Sequence, residues 1–221
     1  GPVVSTWGGI ILPSSSGYGV PAVFGDMDGD VDLDLMLAGN VYGSNPGIDV
    51  WRNQGTVNQP AYVRVWTNVF RTHPANNDGW YRPYPAIVDI DGDGDRDVIV
   101  GGEGDTASLG YHVTYLTLHR NDRTAADPLF PSPPPFSTNW TTITNWMNII
   151  VTNWFLSPAF GDLDADGDLD MVTGQHSTES GYTSPLRVWR NTGSATNPIF
   201  GTESAEIAIS GLAFAISPKL A

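Results

Sequence analysis

Aspartates at alternate positions of a short loop offer hard oxygen donors that one cation can gather, and this sequence repeats that arrangement three times. The ladders run Asp26-Met-Asp-Gly-Asp-Val-Asp-Leu-Asp34, Asp89-Ile-Asp-Gly-Asp-Gly-Asp-Arg-Asp97 and Asp162-Leu-Asp-Ala-Asp-Gly-Asp-Leu-Asp170. Fifteen of the 24 acidic residues fall in these 27 positions, a density that repels itself unless a cation sits within it. Side chains at positions 1, 3 and 5 of such a loop can converge, position 7 can offer its carbonyl, and position 9 can close the shell; this is the order in which Ca²⁺ is bound by the first part of an EF-hand loop. Mg²⁺ suits the pattern less well, because it takes few carboxylates and keeps its waters. The chain has no Cys and its four His are scattered, which argues against zinc. A solvated acidic loop without a ligand is the competing reading for any one ladder; three in register weigh against it.

The elements around the ladders are strands. An EF-hand needs a bidentate Glu at position 12 and a helix after it. Position 12 here is Leu37, Val100 or Thr173, within apolar or β-branched runs that end at Gly39, Gly101 and Gly174. Such runs read as buried strands, so each ladder joins strand to strand. Ladder starts lie 63 and 73 residues apart within a longer repeat. Before each comes a proline segment: Pro21-Ala-Val-Phe-Gly, Pro85-Ala-Ile-Val, Pro158-Ala-Phe-Gly. After each comes a tail: Val50-Trp-Arg-Asn-Gln-Gly, Leu118-His-Arg-Asn-Asp, Val188-Trp-Arg-Asn-Thr-Gly, followed by Asn58-Gln-Pro-Ala-Tyr, Asp127-Pro-Leu-Phe and Asn197-Pro-Ile-Phe. One unit is strand, acidic loop, strand, variable loop, strand ending in Arg-Asn, turn and fourth strand. Four short antiparallel strands per repeat predict an all-β chain of about three β-propeller blades.

Phe24-Gly-Asp-Met-Asp-Gly-Asp and Phe160-Gly-Asp-Leu-Asp-Ala-Asp-Gly-Asp-Leu-Asp resemble the FG-GAP/VCBS repeats of integrin-α-type β-propellers, and the Arg-Asn-x-Gly-x-x-x-x-Pro tail is similar to the bacterial version. The resemblance implies up to three Ca²⁺, one in the loop between the first two strands of each blade. By position it implies as ligands Asp26, Asp28, Asp30 and Asp34; Asp89, Asp91, Asp93 and Asp97; and Asp162, Asp164, Asp166 and Asp170. Asp32, Asp95 and Asp168 would contribute carbonyls. Position 6 of the loop favours a positive φ, met by Gly94 and Gly167 but by Val31 in the first loop, so the first site departs from the pattern and is expected to be the least dependent on its Asp28.

The expected organisation is a closing strand of a preceding blade over 1–19, blade 1 over 20–83, blade 2 over 84–156 with a Pro-rich and Trp-rich insertion, and blade 3 over 157–221 with the start of a next blade. Ser217-Pro-Lys-Leu-Ala221 aligns with Ser157-Pro-Ala-Phe-Gly161. The chain is therefore expected either to continue into further blades of a larger propeller or to self-associate into an oligomeric ring.

A formal charge of −14, falling to −8 with three Ca²⁺, argues against a nucleic-acid partner, which needs a basic face. No apolar run approaches the ~20 residues of a membrane span, so no membrane insertion is expected. Sites of this type suit millimolar extracellular Ca²⁺, which predicts a secreted or cell-surface protein. Asn139-Trp-Thr141 is a glycosylation sequon.

The acidic loops and the Arg-Asn turns are expected on one face. The other face carries connections that vary between repeats and hold many aromatics: Tyr42, Trp80, Tyr81, Tyr84, Tyr111 and Tyr182. Exposed aromatics beside polar groups suit protein or glycan recognition, and Tyr42, Trp80, Tyr81 and Tyr182 are the candidate ligand contacts; packing between blades is the competing role for each. Thr138-Asn-Trp140, Thr144-Asn-Trp146 and Thr152-Asn-Trp154 form either a further platform or strand residues packed on adjacent blades. No G-x-S-x-G, H-E-x-x-H or P-loop is present, and the carboxylates are committed to cations. The expected function is non-enzymatic: a calcium-stabilised extracellular adhesion or structural module. The alternatives are a glycan-binding lectin module and an accessory propeller of a polysaccharide-degrading enzyme.

Overall fold

β-branched and aromatic residues alternating with small ones, punctuated by Gly and Asp, give short strands and tight loops, as the propensities require. The computed structural model describes residues 21–38, 48–69, 83–104, 113–121, 140–143, 154–176, 186–200 and 203–207. Twelve strands occur among them, and no helix. The first sheet holds β1 (Ala22–Gly25), β2 (Asp34–Ala38), β3 (Ile48–Asn53) and β4 (Tyr62–Val69). The second holds β5 (Tyr84–Val88), β6 (Asp97–Gly104), β7 (Val113–Asn121) and β8 (Trp140–Ile143). The third holds β9 (Trp154–Gly161), β10 (Asp170–His176), β11 (Leu186–Trp189) and β12 (Glu203–Ile207). Each sheet is a four-stranded antiparallel meander in chain order, the form of a propeller blade.

Residues 34–38, 97–101 and 170–174, in the second strands of the three blades, are all buried, as a central strand covered on both faces should be. In β2, Met36 faces the second blade and joins Ile48, Val50 and Trp66 in a cluster that includes Val98 and Val100 of β6. Leu35 and Leu37, of opposite parity, meet Tyr62 and Trp51 instead. A second cluster joins Ile99, Leu116 and Leu118 to Met171, Trp189 and Phe200 of the third blade. Blade 2 thus lies between blades 1 and 3, and the two larger clusters are formed between blades. The first strands of blades 1 and 2 approach closely: a Cβ on Gly25 at the end of β1 would stand 2.9 Å from Ile87 in β5.

The register at the acidic loops is the same in all three blades. Gly25 pairs with Asp34, Val88 with Asp97 and Gly161 with Asp170. The last residue of each first strand is therefore opposite the ninth ladder residue, and eight residues close the loop between them.

Candidate metal centres

The register brings positions 1, 3 and 9 of each ladder together. One oxygen from each of Asp26, Asp28 and Asp34 lies within 4.8 Å of the others, and the same holds for Asp89, Asp91 and Asp97 and for Asp162, Asp164 and Asp170. Asp30, Asp93 and Asp166 at position 5 stand outside these groups. Each instead accepts the backbone N–H of position 7, at 3.1, 2.9 and 3.1 Å.

The first carboxylate shapes the loop. Asp26 accepts from the N–H of Gly29 at 2.8 Å and of Val31 at 3.0 Å. Asp89 accepts from Asp93 and Gly94, and Asp162 from Ala165, Asp166 and Gly167. Wrapping the backbone around one side chain in this way needs positive φ at position 6, as Gly94 and Gly167 show at 94° and 93°. Val31 adopts the same conformation, φ 77°, despite its branched side chain. Position 4 needs a positive φ as well, a requirement the sequence reading missed. Gly29 and Gly92 meet it at 76° and 69°, and Ala165 meets it at 64°. A Cβ on Gly94 or Gly167 would meet nothing within 4 Å, so glycine there answers a backbone demand and not a lack of space.

The ninth carboxylate is a clamp. Asp34 accepts from Met27 N–H at 3.0 Å and from Asn53 N–H at 2.8 Å. Asp97 does the same with Ile90 and Asn121, and Asp170 with Leu163 and Asn191. All three side chains belong to buried residues. Burial pushes Asp34 and Asp97 up to about 7, against the opposing pull of the two amide donors on each.

The Asn of the Arg-Asn tail continues the connection. Asn53 Oδ1 accepts from Gly55 and Ala61, and Asn191 Oδ1 accepts from Gly193 and Ile199. A Cβ on Gly55 or Gly193 would fall 2.2 Å from the carbonyl oxygen of Gln59 or Asn197, which explains the glycine two residues after each of these asparagines. The acidic loops and the Arg-Asn turns therefore do share one end of the blades. The Arg supplies a positive charge whose role the sequence reading did not assign. Arg52 pairs with Asp28 and lies 3.7 Å from Asp30. Arg120 lies 3.9 Å from Asp91, and Arg190 lies 3.3 Å from Asp164 and pairs with Asp170. The recurrence of Arg-Asn at or just past the end of each blade's third strand was the available signal.

The third carboxylate tests whether these residues fit a cation. The Asp28 side chain is 1% exposed, and neither oxygen accepts a well-aligned hydrogen bond, although the Asp30 amide is near enough to temper its charge. Asp91 leaves one buried oxygen without a donor. Burial raises the pKa of both residues. A buried carboxylate oxygen without an aligned donor is costly, and a divalent cation held between it and the other two carboxylates offsets that cost more fully than the nearby guanidinium alone. The donors are all oxygen, so the fit is to a hard cation such as Ca²⁺, with further ligands needed to reach its usual six to eight. Asp164 is more open, at 44% side-chain exposure.

Asp32 is buried, while Asp95 and Asp168 are half-buried. Tyr42, Trp80, Tyr81 and Tyr182 lie outside the described residues, as do Tyr111, Asn139, Trp146 and the segments 1–19 and 208–221. Tyr84 opens β5 and is half-buried. Trp140 opens β8, the fourth strand of blade 2. No group of three or more potential metal-binding side chains other than these three occurs among the described residues.

Residues 89–173 match the family model of the FG-GAP-like repeat, a stretch that runs from the first ligand of the second ladder through the third ladder and into β10. The chain thus carries an FG-GAP-type repeat, in agreement with its all-β blades. No curated protein matches the sequence.

Proposed function

We propose that this chain is a calcium-stabilised, non-enzymatic β-propeller module of an extracellular protein, serving adhesion or structure through contacts with a protein or glycan surface. The observation that carries the metal assignment is the convergence of three carboxylates in an all-oxygen group, repeated in register through three blades, with the third-position carboxylate most enclosed in blade 1. Ca²⁺ would supply charge neutralisation and a multidentate tie. The protein's own residues do the rest. Asp26, Asp89 and Asp162 curl the loop, Asp34, Asp97 and Asp170 tie it to the Arg-Asn turn, and Asp28, Asp91 and Asp164 complete the group.

The extracellular assignment rests on the FG-GAP-like repeat, commonly found outside cells, and on the suitability of such sites for millimolar Ca²⁺. No helix among the described residues is long and apolar enough to cross a membrane. The second strand of each blade ends, and the third begins, at the end of the blade opposite the acidic loops; loops on a rigid scaffold commonly carry binding, which makes that end the proposed recognition face.

Binding to the folded state alone stabilises it by ~2.7 kcal/mol at one hundred times the dissociation constant for a single site. Excess chelator should lower the melting temperature by several degrees, and Ca²⁺ but not equimolar Mg²⁺ should restore it. A melt indifferent to chelator would dispose of the calcium role. A glycan array run with the Ca²⁺-loaded protein separates glycan from protein contacts.

A further inference from the structure

The three arginines of the tails occupy a more specific place than a surface ion pair would. The chain has only ten basic residues, and three of them stand at the same repeat position, immediately before the asparagine clamped by the ninth carboxylate. That clamp holds the backbone beside each arginine, so each guanidinium reaches the third-position carboxylate of its own loop: Arg52 on Asp28, Arg120 on Asp91, Arg190 on Asp164. Arg190 also pairs with Asp170, so it touches two of the three carboxylates that converge in blade 3. A guanidinium stays charged at any pH the fold survives.

We propose that Arg52, Arg120 and Arg190 are built-in counter-cations that partly neutralise their loops in the metal-free protein and, by the same charge, weaken the metal affinity of those loops. The inference rests on the reading of the loops as Ca²⁺ sites. Its basis is Coulombic. Three carboxylates within 4.8 Å repel one another, and a fixed positive charge on one of them relieves the repulsion. The same charge repels an arriving divalent cation. The loop therefore folds before it is loaded, and its affinity is held down toward the range of an abundant extracellular ion. The effect is largest in blade 1, where Asp28 is shielded from solvent and salt, and smaller in blade 2, where the separation is 3.9 Å.

The test is calorimetric titration of metal-stripped protein with calcium chloride, paired with a thermal melt in chelator, for wild type, Arg52→Gln and Arg52→Lys. Arg52→Gln should tighten one Ca²⁺ site by about tenfold, as loss of one nearby like charge implies, and lower the melting temperature in chelator. Arg52→Lys, which keeps the charge, should lie nearer wild type in both measurements. If Arg52→Gln does not fold, Arg120→Gln, with its longer pair, gives the same two readings at smaller amplitude. Wild-type binding with equal or weaker binding in the Gln variant overturns the counter-cation role and leaves the metal sites standing; so does an unchanged melt in chelator. Binding by the Gln variant alone supports the arginine as occupant of the site while refuting calcium binding by the native chain. Binding by neither overturns both.

Discussion

Val31 shows how far a single residue can be forced by its neighbours. Two N–H groups aimed at Asp26 hold it at φ 77°, where a β-branched side chain crowds its own backbone. Its 78% exposure leaves it no packing to offset that strain. Val31→Gly should therefore stabilise the protein by ~1 kcal/mol, read as a higher denaturation midpoint, because the left-handed conformation costs an L-residue about that much. Ala165→Gly in the third loop should act in the same direction, since Ala165 meets the same demand at position 4. The first loop is thus not alone in departing from the ideal, and it also has the most enclosed third carboxylate, with Asp28 1% exposed against 17% for Asp91 and 44% for Asp164. His119 is a second constrained residue. It stands in β7 at the place held by Trp51 and Trp189 in the other blades, and burial lowers its pKa to about 3. The unfolded chain takes up its proton near pH 6.5 while the folded chain refuses it, so stability falls as pH drops from about 6.5 toward 3, by up to ~1.4 kcal/mol per pH unit. Asp34 and Asp97 act in the opposite sense in metal-free protein, their contribution being complete below the unfolded carboxylate range and lost as pH rises through about 7. The informative quantity is accordingly the difference between wild type and His119→Phe across pH 4 to 7: the variant should lack the histidine slope, and parallel curves would contradict it.

Among elements, the turn after each third strand does more than reverse the chain. Asn191 joins three segments: its N–H goes to Asp170, and its Oδ1 collects the N–H groups of Gly193 and Ile199. Asn191→Ala should cost about 2–3 kcal/mol by stranding two amide donors, whereas Asn191→Asp keeps an acceptor for both and should cost less. Urea unfolding of the two variants separates these outcomes, and equal losses would mean that the side-chain acceptor is not what holds the turn. The clamp on Asp170 comes from the Asn191 backbone N–H, which alanine keeps; by loosening the turn that positions this N–H, the alanine variant should also weaken Ca²⁺ binding in blade 3, measurable in the same preparations by calorimetry.

The molecule as a whole is held together between blades. Met36 packs toward Val98 and Val100, and Met171 toward Ile99 and Leu118, so blade 2 contributes to both clusters. A blade that shares its core with its neighbours has little reason to unfold alone. Met171→Ala, at a site with no solvent exposure, should cost ~2–5 kcal/mol. The thermal transition should move as one, with tryptophan fluorescence and circular dichroism giving coincident midpoints. Separate transitions would mean that the blades are energetically independent despite their shared side chains.

The nine-residue ladders, the strands on either side and the four-strand unit were legible because each is a local pattern copied along the chain. Alternating aspartates, β-branched runs ending in glycine and Arg-Asn before a turn all act within a few residues, and repetition separates them from chance. The same locality makes Val31 conspicuous in the sequence: position 6 of such a loop constrains its own backbone. Which carboxylates converge was a different matter. Positions 1, 3, 5 and 9 look equivalent in sequence, but Asp30, Asp93 and Asp166 turn to cap their own loop amides while positions 1, 3 and 9 meet. One partner of each ninth carboxylate lies 7 residues before it within the loop, but the asparagine partner lies 19, 24 and 21 residues after it, across connections of unequal length, so no fixed spacing announces it. The arginine contacts, the shared cores and the enclosure of Asp28 likewise depend on where separate strands and blades come to rest. Local periodicity reports what a segment will become; closure across variable loops sets which side chains then share a site.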